Sequence, residues 1–425
     1  MPDRKTAPAI KESVDYEINL PDHQFYTLKN GAPVYFIDGG AEEVAKIEWV
    51  FHAGNFFEKK NGVAAATARL IQNGTSKKTA FEISRHFEFY GAHLNCVCYN
   101  EYAVISLHCL SKYLKELLPV VYELLTDAVF PQEEIVIYKQ QKIQWLEVQL
   151  QKSEFVATRQ IDANLYGDDN PYGRKTNKED IESLTREDLM DFYKNFYKTA
   201  CCRVFAAGKL PGSFTKMMDE YFGELDINHT IAFPIFERHL SAEKKMRITN
   251  DPDGVQSAIR MARPFPTRDD PDFKPASVLN TVFGGYFGSR LMTNIREEKG
   301  YTYGIYSYIQ THLQGSSWMI STEAGKDVSE DTISEVYKEM ELLRNELIDQ
   351  EELMLVRNYL IGRQLAFLDG PFKIIEWWKI LILNNLDKQY YTDTINTIKT
   401  VTAEELQAIA QKYFVPEDFY EVAVV

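Results

Sequence analysis

Two short segments of the chain, 217 residues apart, begin a predicted helix in the same way. One reads Ser183-Leu-Thr-Arg-Glu-Asp-Leu and the other Thr400-Val-Thr-Ala-Glu-Glu-Leu, so Thr185 and Thr402 each stand three positions before an acidic residue. That spacing is typical of a capping box at a helix N-terminus. Each helix is followed by an apolar run that predicts a strand. Because the offset is about half of the 425 residues, the pattern predicts a duplicated domain rather than a short solenoid repeat.

The length of the chain also favours two domains, since 425 residues are too many for one ordinary hydrophobic core. The stretch from 225 to 244 is less regular than its surroundings and contains Pro234, so we predict the linker there. The N-terminal domain is then expected at 1–224 and the C-terminal domain at 245–425.

Composition argues against several classes of partner. The chain carries 62 acidic and 47 basic residues, a net charge of −15, whereas nucleic acids and anionic membranes attract a basic face. No apolar run approaches the roughly 18 residues of a transmembrane helix, and residues 1–17 lack the apolar core of a signal peptide. We therefore expect a cytoplasmic protein with neither a nucleic-acid nor a membrane partner. The five cysteines form no metal-binding spacing, and their odd number predicts reduced thiols.

One segment of the N-terminal half carries a familiar frame. Residues 62–75 read Gly-Val-Ala-Ala-Ala-Thr-Ala-Arg-Leu-Ile-Gln-Asn-Gly-Thr, and by themselves they fit an Ala-rich helix packed in a core as well as an altered metal-binding helix. The segment resembles the zinc helix of the insulinase/pitrilysin metallopeptidase family, which reads G-x-A-H-x-x-E-H-M-x-F-x-G-T. Gly62, Ala64, Gly74 and Thr75 stand at the frame positions.

Further segments resemble the same family in the same order along the chain. Asn170-Pro-Tyr-Gly-Arg, followed by Asp180-Ile-Glu-Ser-Leu-Thr, is similar to its H-P-Y-G…I-x-x-L-T segment. Gly284-Gly-Tyr-Phe-Gly-Ser-Arg-Leu and Ile295-Arg-Glu-Glu-Lys-Gly-Tyr-Thr-Tyr are similar to its G-G-x-x-x-S-R-L…L-R-E-x-x-G-x-x-Y. The resemblance implies an α+β fold of the processing-peptidase type. It has two duplicated domains, each a largely antiparallel sheet covered by helices.

The chemistry inside the zinc frame has changed. Two histidines four residues apart on a helix lie on one face and can bind one zinc ion. At the family's histidine positions this chain has Ala65 and Arg69, and at its general-base position it has Ala68. Alanine has no donor atom, and the cation of arginine repels a metal. We therefore expect no zinc and no other cofactor in this chain, and no catalytic residue on this helix.

Glu147 stands where the resemblance places the third zinc ligand of the family. One carboxylate cannot hold a catalytic zinc without the two histidines. We therefore interpret Glu147 as a possible vestigial ligand. A further hypothesis is that Arg69 and Glu147 form an ion pair at the old metal position.

Arg296 and Tyr303 match an arginine and a tyrosine that, in the family, bind the substrate backbone near the scissile bond. Arginine offers a fixed fork of donors to a peptide carbonyl, and a tyrosine hydroxyl can donate to a developing oxyanion. The alternative interpretation makes Arg296 a surface ion-pair residue and Tyr303 a core residue. With the family frame, the substrate role is favoured.

Three functions from different classes follow. The favoured one is a zinc-less subunit of a two-chain zinc metallopeptidase, which supplies Arg296 and Tyr303 to a peptide in trans. Zinc would then be bound by a homologous partner subunit with an intact H-x-x-E-H motif. The second is a non-enzymatic binding or assembly protein on an inactivated peptidase fold. The third is an enzyme with a metal-free activity, although the sequence contains no nucleophile elbow and no dinucleotide fingerprint.

Overall fold

The computed structural model describes residues 12–199, 201–227 and 232–425, which form two compact units. The N-terminal unit consists of residues 22–243 and 370–380. The C-terminal unit consists of residues 12–21, 244–369 and 381–425. Residues 1–11 of the polar N-terminus and residues 228–231 of the predicted linker lie outside the described residues.

The N-terminal unit combines one sheet with a set of helices. Its strands are β1 (Gln24–Thr27), β2 (Pro33–Asp38), β3 (Val44–Phe51), β4 (His93–Cys98), β5 (Ala103–Leu110) and β6 (Cys202–Gly208). Its helices are α1 (Val63–Leu70), α2 (Ala80–Phe89), α3 (Leu114–Asp127), α4 (Gln132–Leu150), α5 (Ser153–Tyr166), α6 (Lys178–Ser183), α7 (Arg186–Tyr193) and α8 (Phe214–Phe222).

The C-terminal half of the sequence repeats this composition. Its strands are β7 (Lys245–Ile248), β8 (Gln256–Phe265), β9 (Thr302–Gln310), β10 (Ser316–Gly325) and β11 (Tyr420–Val424). Its helices are α9 (Phe273–Gly284), α10 (Ser329–Asn345), α11 (Gln350–Phe367), α12 (Pro371–Leu383), α13 (Lys388–Thr400) and α14 (Ala403–Tyr413).

The two sheets share one topology. The first has the strand order β1-β2-β6-β3-β5-β4, and the second has the order β7-β11-β8-β10-β9. In each sheet the last strand along the chain pairs in parallel with an early strand, β6 with β2 and β11 with β7, while the other pairings are antiparallel. The second sheet thus repeats the first, without a described equivalent of β1. The predicted α+β fold with two largely antiparallel sheets is confirmed.

The repeated helix starts are also present. The hydroxyl of Thr185 accepts a hydrogen bond from the amide of Asp188, and Thr402 does the same with Glu405. Each helix leads into the last strand of its half, β6 or β11, which lies inside its sheet between two neighbours. The capping boxes therefore begin equivalent helix–strand units in the two halves.

Residues 370–380 are far from the N-terminal unit in the sequence, yet the structure groups them with it. The ammonium of Lys379 lies 2.7 Å from the buried carboxylate of Glu48 on β3. The ring of Trp378 lies 4.3 Å from that of His23. The predicted domains 1–224 and 245–425 are continuous in sequence, so they do not assign residues 370–380 to the N-terminal unit.

No helix in the described ranges is both long and apolar enough to cross a membrane.

Candidate functional site

The frame residues of the segment that resembles a zinc helix have structural roles. Gly62 precedes α1 with a φ of +87°, a left-handed conformation that other residues rarely adopt. Gly74 has a φ of +152°, and a Cβ atom there would lie 2.8 Å from Cγ of Pro131. Thr75 is buried, and its hydroxyl accepts a hydrogen bond from the amide of Lys78 at 3.0 Å. These residues keep the segment in place whether or not α1 binds a metal.

The three positions that would carry the zinc chemistry provide no metal ligand. Ala65 and Ala68 have no donor atom, and Ala68 is buried. Arg69 is exposed and cationic. Within the described residues, no group of three or more His, Cys, Asp or Glu side chains could hold a metal ion. A catalytic zinc takes three protein ligands, so the residues at this helix do not fit the metal that the family resemblance implies.

Glu147 faces away from the place where a ligand would be needed. Its side chain is 55% exposed, and its carboxylate lies 3.1 Å from the ammonium of Lys178. Its neighbour Leu146 is buried, and successive residues on a helix point about 100° apart. The hypothesis of an ion pair between Glu147 and Arg69 is therefore wrong, because Glu147 is paired with Lys178 on the surface of the unit.

The inner face of α4 carries different residues, which the sequence analysis did not single out. Tyr138, Lys142 and Trp145 line a cavity of about 220 Å³ together with Ala65, the first of the altered histidine positions. The spacing of the three α4 residues, i, i+4 and i+7, places them on one side of a helix. That spacing was the available signal, but only the structure shows which side of α4 faces α1.

Glu58 caps the start of α1. Its carboxylate is buried and accepts a hydrogen bond from the amide of Ala64 at 2.9 Å. Burial raises the pKa of Glu58 to about 7, although that hydrogen bond and the charge of Arg174, 3.7 Å away, act in the opposite direction. A carboxylate at a helix N-terminus interacts favourably with the helix dipole. Glu58 therefore has a structural explanation in this chain.

Arg296 and Tyr303 are brought together in the C-terminal unit. Arg296 lies in a π-helical turn, Met292–Glu298, and Tyr303 lies on the edge strand β9. Nε of Arg296 donates a hydrogen bond to the carbonyl oxygen of Tyr303 at 3.0 Å. The guanidinium also lies 4.6 Å from the centre of the Phe287 ring. The arginine is thus held on two sides, against the tyrosine backbone and an aromatic ring.

The exposure of this pair separates the two interpretations of it. The side chain of Tyr303 is 90% exposed, so the interpretation of Tyr303 as a core residue is wrong. Arg296 does lie 3.7 Å from the carboxylate of Glu297, as the ion-pair interpretation requires. Both residues line a cavity of about 710 Å³. The geometry therefore presents a cation and a phenol side by side to a ligand.

The thiols are poorly suited to nucleophilic chemistry. None of the five cysteines, all of them described, is in a disulfide. Burial raises the pKa of Cys96 and of Cys109 to about 12. It also raises the pKa of Cys98, Cys201 and Cys202. Because the thiolate is the reactive form, burial disfavours nucleophilic chemistry at these side chains.

A cavity of about 840 Å³ between β3, β5 and the start of α12 contains charges that compensate one another. Glu48 lies 2.8 Å from the ammonium of Lys46 and 2.7 Å from that of Lys379. Burial by itself would raise the pKa of Glu48, but the two lysines outweigh burial and lower it. Glu376 pairs with the same two lysines. These four residues form a structural network that connects α12 to the sheet.

Comparison with known proteins identifies one family in both halves of the chain. Residues 37–179 match the family model described as "Insulinase (Peptidase family M16)". Residues 183–360 match the model described as "Peptidase M16 inactive domain".

Individual relatives are distant. The "Probable mitochondrial-processing peptidase subunit beta" of Schizosaccharomyces pombe is 26% identical over 305 residues, 66% of this chain and 65% of that protein. The "Non-peptidase homolog YmxG" of Helicobacter pylori is 26% identical over 283 residues, 64% of each chain. The matches thus span a little under two thirds of the length of these two relatives.

The fold is shared with solved structures. The crystal structure of a peptidase M16 inactive domain from Pseudomonas fluorescens superposes with a TM-score of 0.85 at 24% identity, over 95% of this chain and 98% of that one. At this identity the likeness concerns the fold. Because two models of one family match successive segments of it, the chain belongs to peptidase family M16, the insulinase family.

Proposed function

We propose that this chain is the zinc-less subunit of a two-chain zinc metallopeptidase. In this proposal it supplies Arg296 and Tyr303 to a peptide substrate, while a homologous subunit with an intact H-x-x-E-H motif binds the zinc. The observation that carries the proposal is the pairing of a half-buried Arg296 with an exposed Tyr303, in a chain whose α1 helix offers no metal ligands. A purely structural descendant has no reason to keep both residues in this arrangement.

The two side chains suit a peptide backbone. The hydrogen bond from Nε of Arg296 to the carbonyl of Tyr303 fixes the guanidinium. Nη1 lies 3.7 Å from the carboxylate of Glu297, which leaves Nη2 to donate to a substrate carbonyl. The hydroxyl of Tyr303, on a 90% exposed side chain, can donate a second hydrogen bond. Donors that are positioned before the reaction stabilise a developing oxyanion most effectively. The pair therefore fits a role at the scissile bond.

The names of the relatives support the proposed association with a second, homologous chain. The name of the Schizosaccharomyces pombe relative describes it as a subunit of a processing peptidase. The match to an inactive-domain model fits a chain that contributes binding groups and leaves the metal to another chain. A location in the cytoplasm stays a prediction from the sequence.

The alternative is a non-enzymatic binding or assembly protein. The name of the Helicobacter pylori relative, a non-peptidase homolog, favours it. In that case the cavity beside Tyr303 would bind a peptide or protein without cleaving it. A metal-free enzyme has less support, because burial raises the pKa of every cysteine.

The proposal is tested by mixing this chain with a homologous chain of the same genome that carries the intact motif. Light scattering is expected to give the mass of a one-to-one complex. Elemental analysis is expected to find one zinc per complex and none in this chain by itself, because it lacks the three ligands. As a control, a partner whose two motif histidines are replaced by alanine should still associate but bring no zinc. Stoichiometric zinc in this chain, or no complex in the mixture, contradicts the proposal.

A further inference from the structure

The cavity beside Ala65 has an unusual charge for this protein. It is lined by Lys142 of α4, Arg159 of α5, and Arg174 and Lys175 of the loop before α6, and its lining contains no acidic residue. The chain as a whole has a net charge of −15. A cavity of about 220 Å³ lined by four cations is therefore unusual in a protein with a net negative charge.

Two of these cations have no carboxylate partner in the described part of the chain. Arg174 pairs with Glu58 and Lys175 with Asp168, at 3.7 and 3.8 Å. Lys142 instead lies 3.6 Å from the centre of the Trp145 ring. Arg159 lies 5.4 Å from the Phe155 ring, and its Nη2 donates a hydrogen bond to the amide oxygen of Asn177 at 3.1 Å.

The cations are also partly removed from water. Burial lowers the pKa of Lys142, and it lowers that of Arg159 although the charge of Asp180 acts in the opposite direction. Burial lowers the pKa of Lys175 too, against the charge of Asp168. A half-buried cation that forms no ion pair is unfavourable, so an anion in contact with Lys142 and Arg159 would offset that cost.

The apolar residues that line the cavity indicate which group would accompany the anion. Tyr138, Trp145 and Phe155 contribute aromatic surface, and Leu146 and Ile181 contribute aliphatic surface. Trp145 is 44% exposed, so the cavity can be reached from solvent. Ala65 leaves space that a histidine side chain at this position would occupy. These surfaces suit a flat apolar group attached to the anion.

We propose that the cavity beside Ala65 binds a small organic anion, a carboxylate or phosphate attached to a flat apolar group. Where the family resemblance implies a site for the zinc cation, this chain would thus bind an anion. Lys142 and Arg159 contact the anionic group, and Trp145 and Phe155 contact the apolar group. The residues that line this site all belong to the N-terminal unit, so the proposal does not depend on the existence of a partner chain.

Isothermal titration of the full chain with benzoate, phenyl phosphate, inorganic phosphate and benzyl alcohol tests this proposal. Benzoate or phenyl phosphate is expected to bind at least about tenfold more tightly than neutral benzyl alcohol, because a hydrogen bond to a charged group contributes that much or more. Inorganic phosphate is expected to bind more weakly, since it lacks the apolar group. The stronger of the two aromatic ligands identifies the anionic group as carboxylate or phosphate.

Variants of one helix provide matched controls. Lys142→Met is expected to weaken binding of the preferred ligand by about tenfold to a hundredfold, while Lys142→Arg retains it. Lys139→Met removes a lysine of the same helix that bonds the carbonyl of Glu182 outside the cavity, and it should bind as the unchanged chain does. Circular dichroism establishes that each variant is folded. Equal binding by Lys142→Met and the unchanged chain overturns the proposal, as does the absence of any binding tighter than about 10 mM.

Discussion

In a mixture with a catalytic partner chain, Arg296→Ala and Tyr303→Phe are each expected to lower the turnover number for peptide cleavage by about 10²- to 10³-fold. Losing one positioned donor to a developing oxyanion typically has an effect of this size. Tyr303→Phe removes only a hydroxyl from a side chain that is 90% exposed, so the fold should not change. Steady-state kinetics of the mixture measures the effect, and light scattering confirms that the complex still forms.

The split between kcat and KM indicates what the pair does. A group that acts only in the transition state lowers kcat and leaves KM nearly unchanged, whereas a group that merely binds substrate raises KM. Tyr306→Phe is the matched control, because Tyr306 is a 53% exposed tyrosine on the same strand, β9. If Arg296→Ala and Tyr303→Phe support the same rate as Tyr306→Phe, Arg296 and Tyr303 have no role in catalysis. That result would favour the alternative of a non-enzymatic assembly protein.

Asp162→Asn is expected to stabilise the protein increasingly as the pH rises from about 5 to 8. Burial raises the pKa of Asp162 to about 7, and its Oδ1 atom is buried with no hydrogen-bond partner among the described residues. An acid with a raised pKa in the folded state binds more protons folded than unfolded. Its contribution to stability is therefore lost as the pH rises from the unfolded pKa, near 3.9, to the folded one.

The size of this effect follows from the pKa difference. Each pKa unit corresponds to about 1.4 kcal/mol, and about 2 units separate pH 5 from the folded pKa. The advantage of Asp162→Asn over the unchanged chain should therefore grow by about 3 kcal/mol between pH 5 and pH 8. Urea unfolding of both proteins at several pH values measures the difference, in which the contributions of other titrating groups cancel. Asp191→Asn, at an exposed carboxylate of α7, is the control for the same change of side chain at the surface. If the difference in free energy of unfolding between Asp162→Asn and the unchanged chain does not vary with pH, Asp162 is already ionised in the folded protein at pH 5, and the account of Asp162 is wrong.

Local features of the sequence predicted local features of the structure well. The capping boxes at Thr185 and Thr402 depend on two residues three positions apart, and both formed. Their repetition at half the chain length predicted the two sheets of one topology. The sequence alone also predicted that Ala65, Ala68 and Arg69 cannot bind a metal, because the missing donor atom of alanine and the positive charge of arginine are properties of the residue type.

Features that depend on contacts between distant segments were not predicted. Glu147 was selected by its position in a family motif, but the orientation of α4 turns Lys142 toward α1 and Glu147 toward Lys178. The ion pair between Lys379 and Glu48 joins residues 331 positions apart, and no sequence pattern indicates it. The exposure of Tyr303 follows from its place on an edge strand, which depends on the order of strands in the sheet.

The most direct test of the central claim is the rate of peptide cleavage by a fixed amount of the catalytic chain as this chain is added. If the two chains form one active site, the initial rate rises and reaches a plateau at equal amounts of the two chains. This chain by itself is expected to show no cleavage, because its α1 helix offers no metal ligands. A rate that does not change as this chain is added, or cleavage by this chain without the partner, contradicts the account.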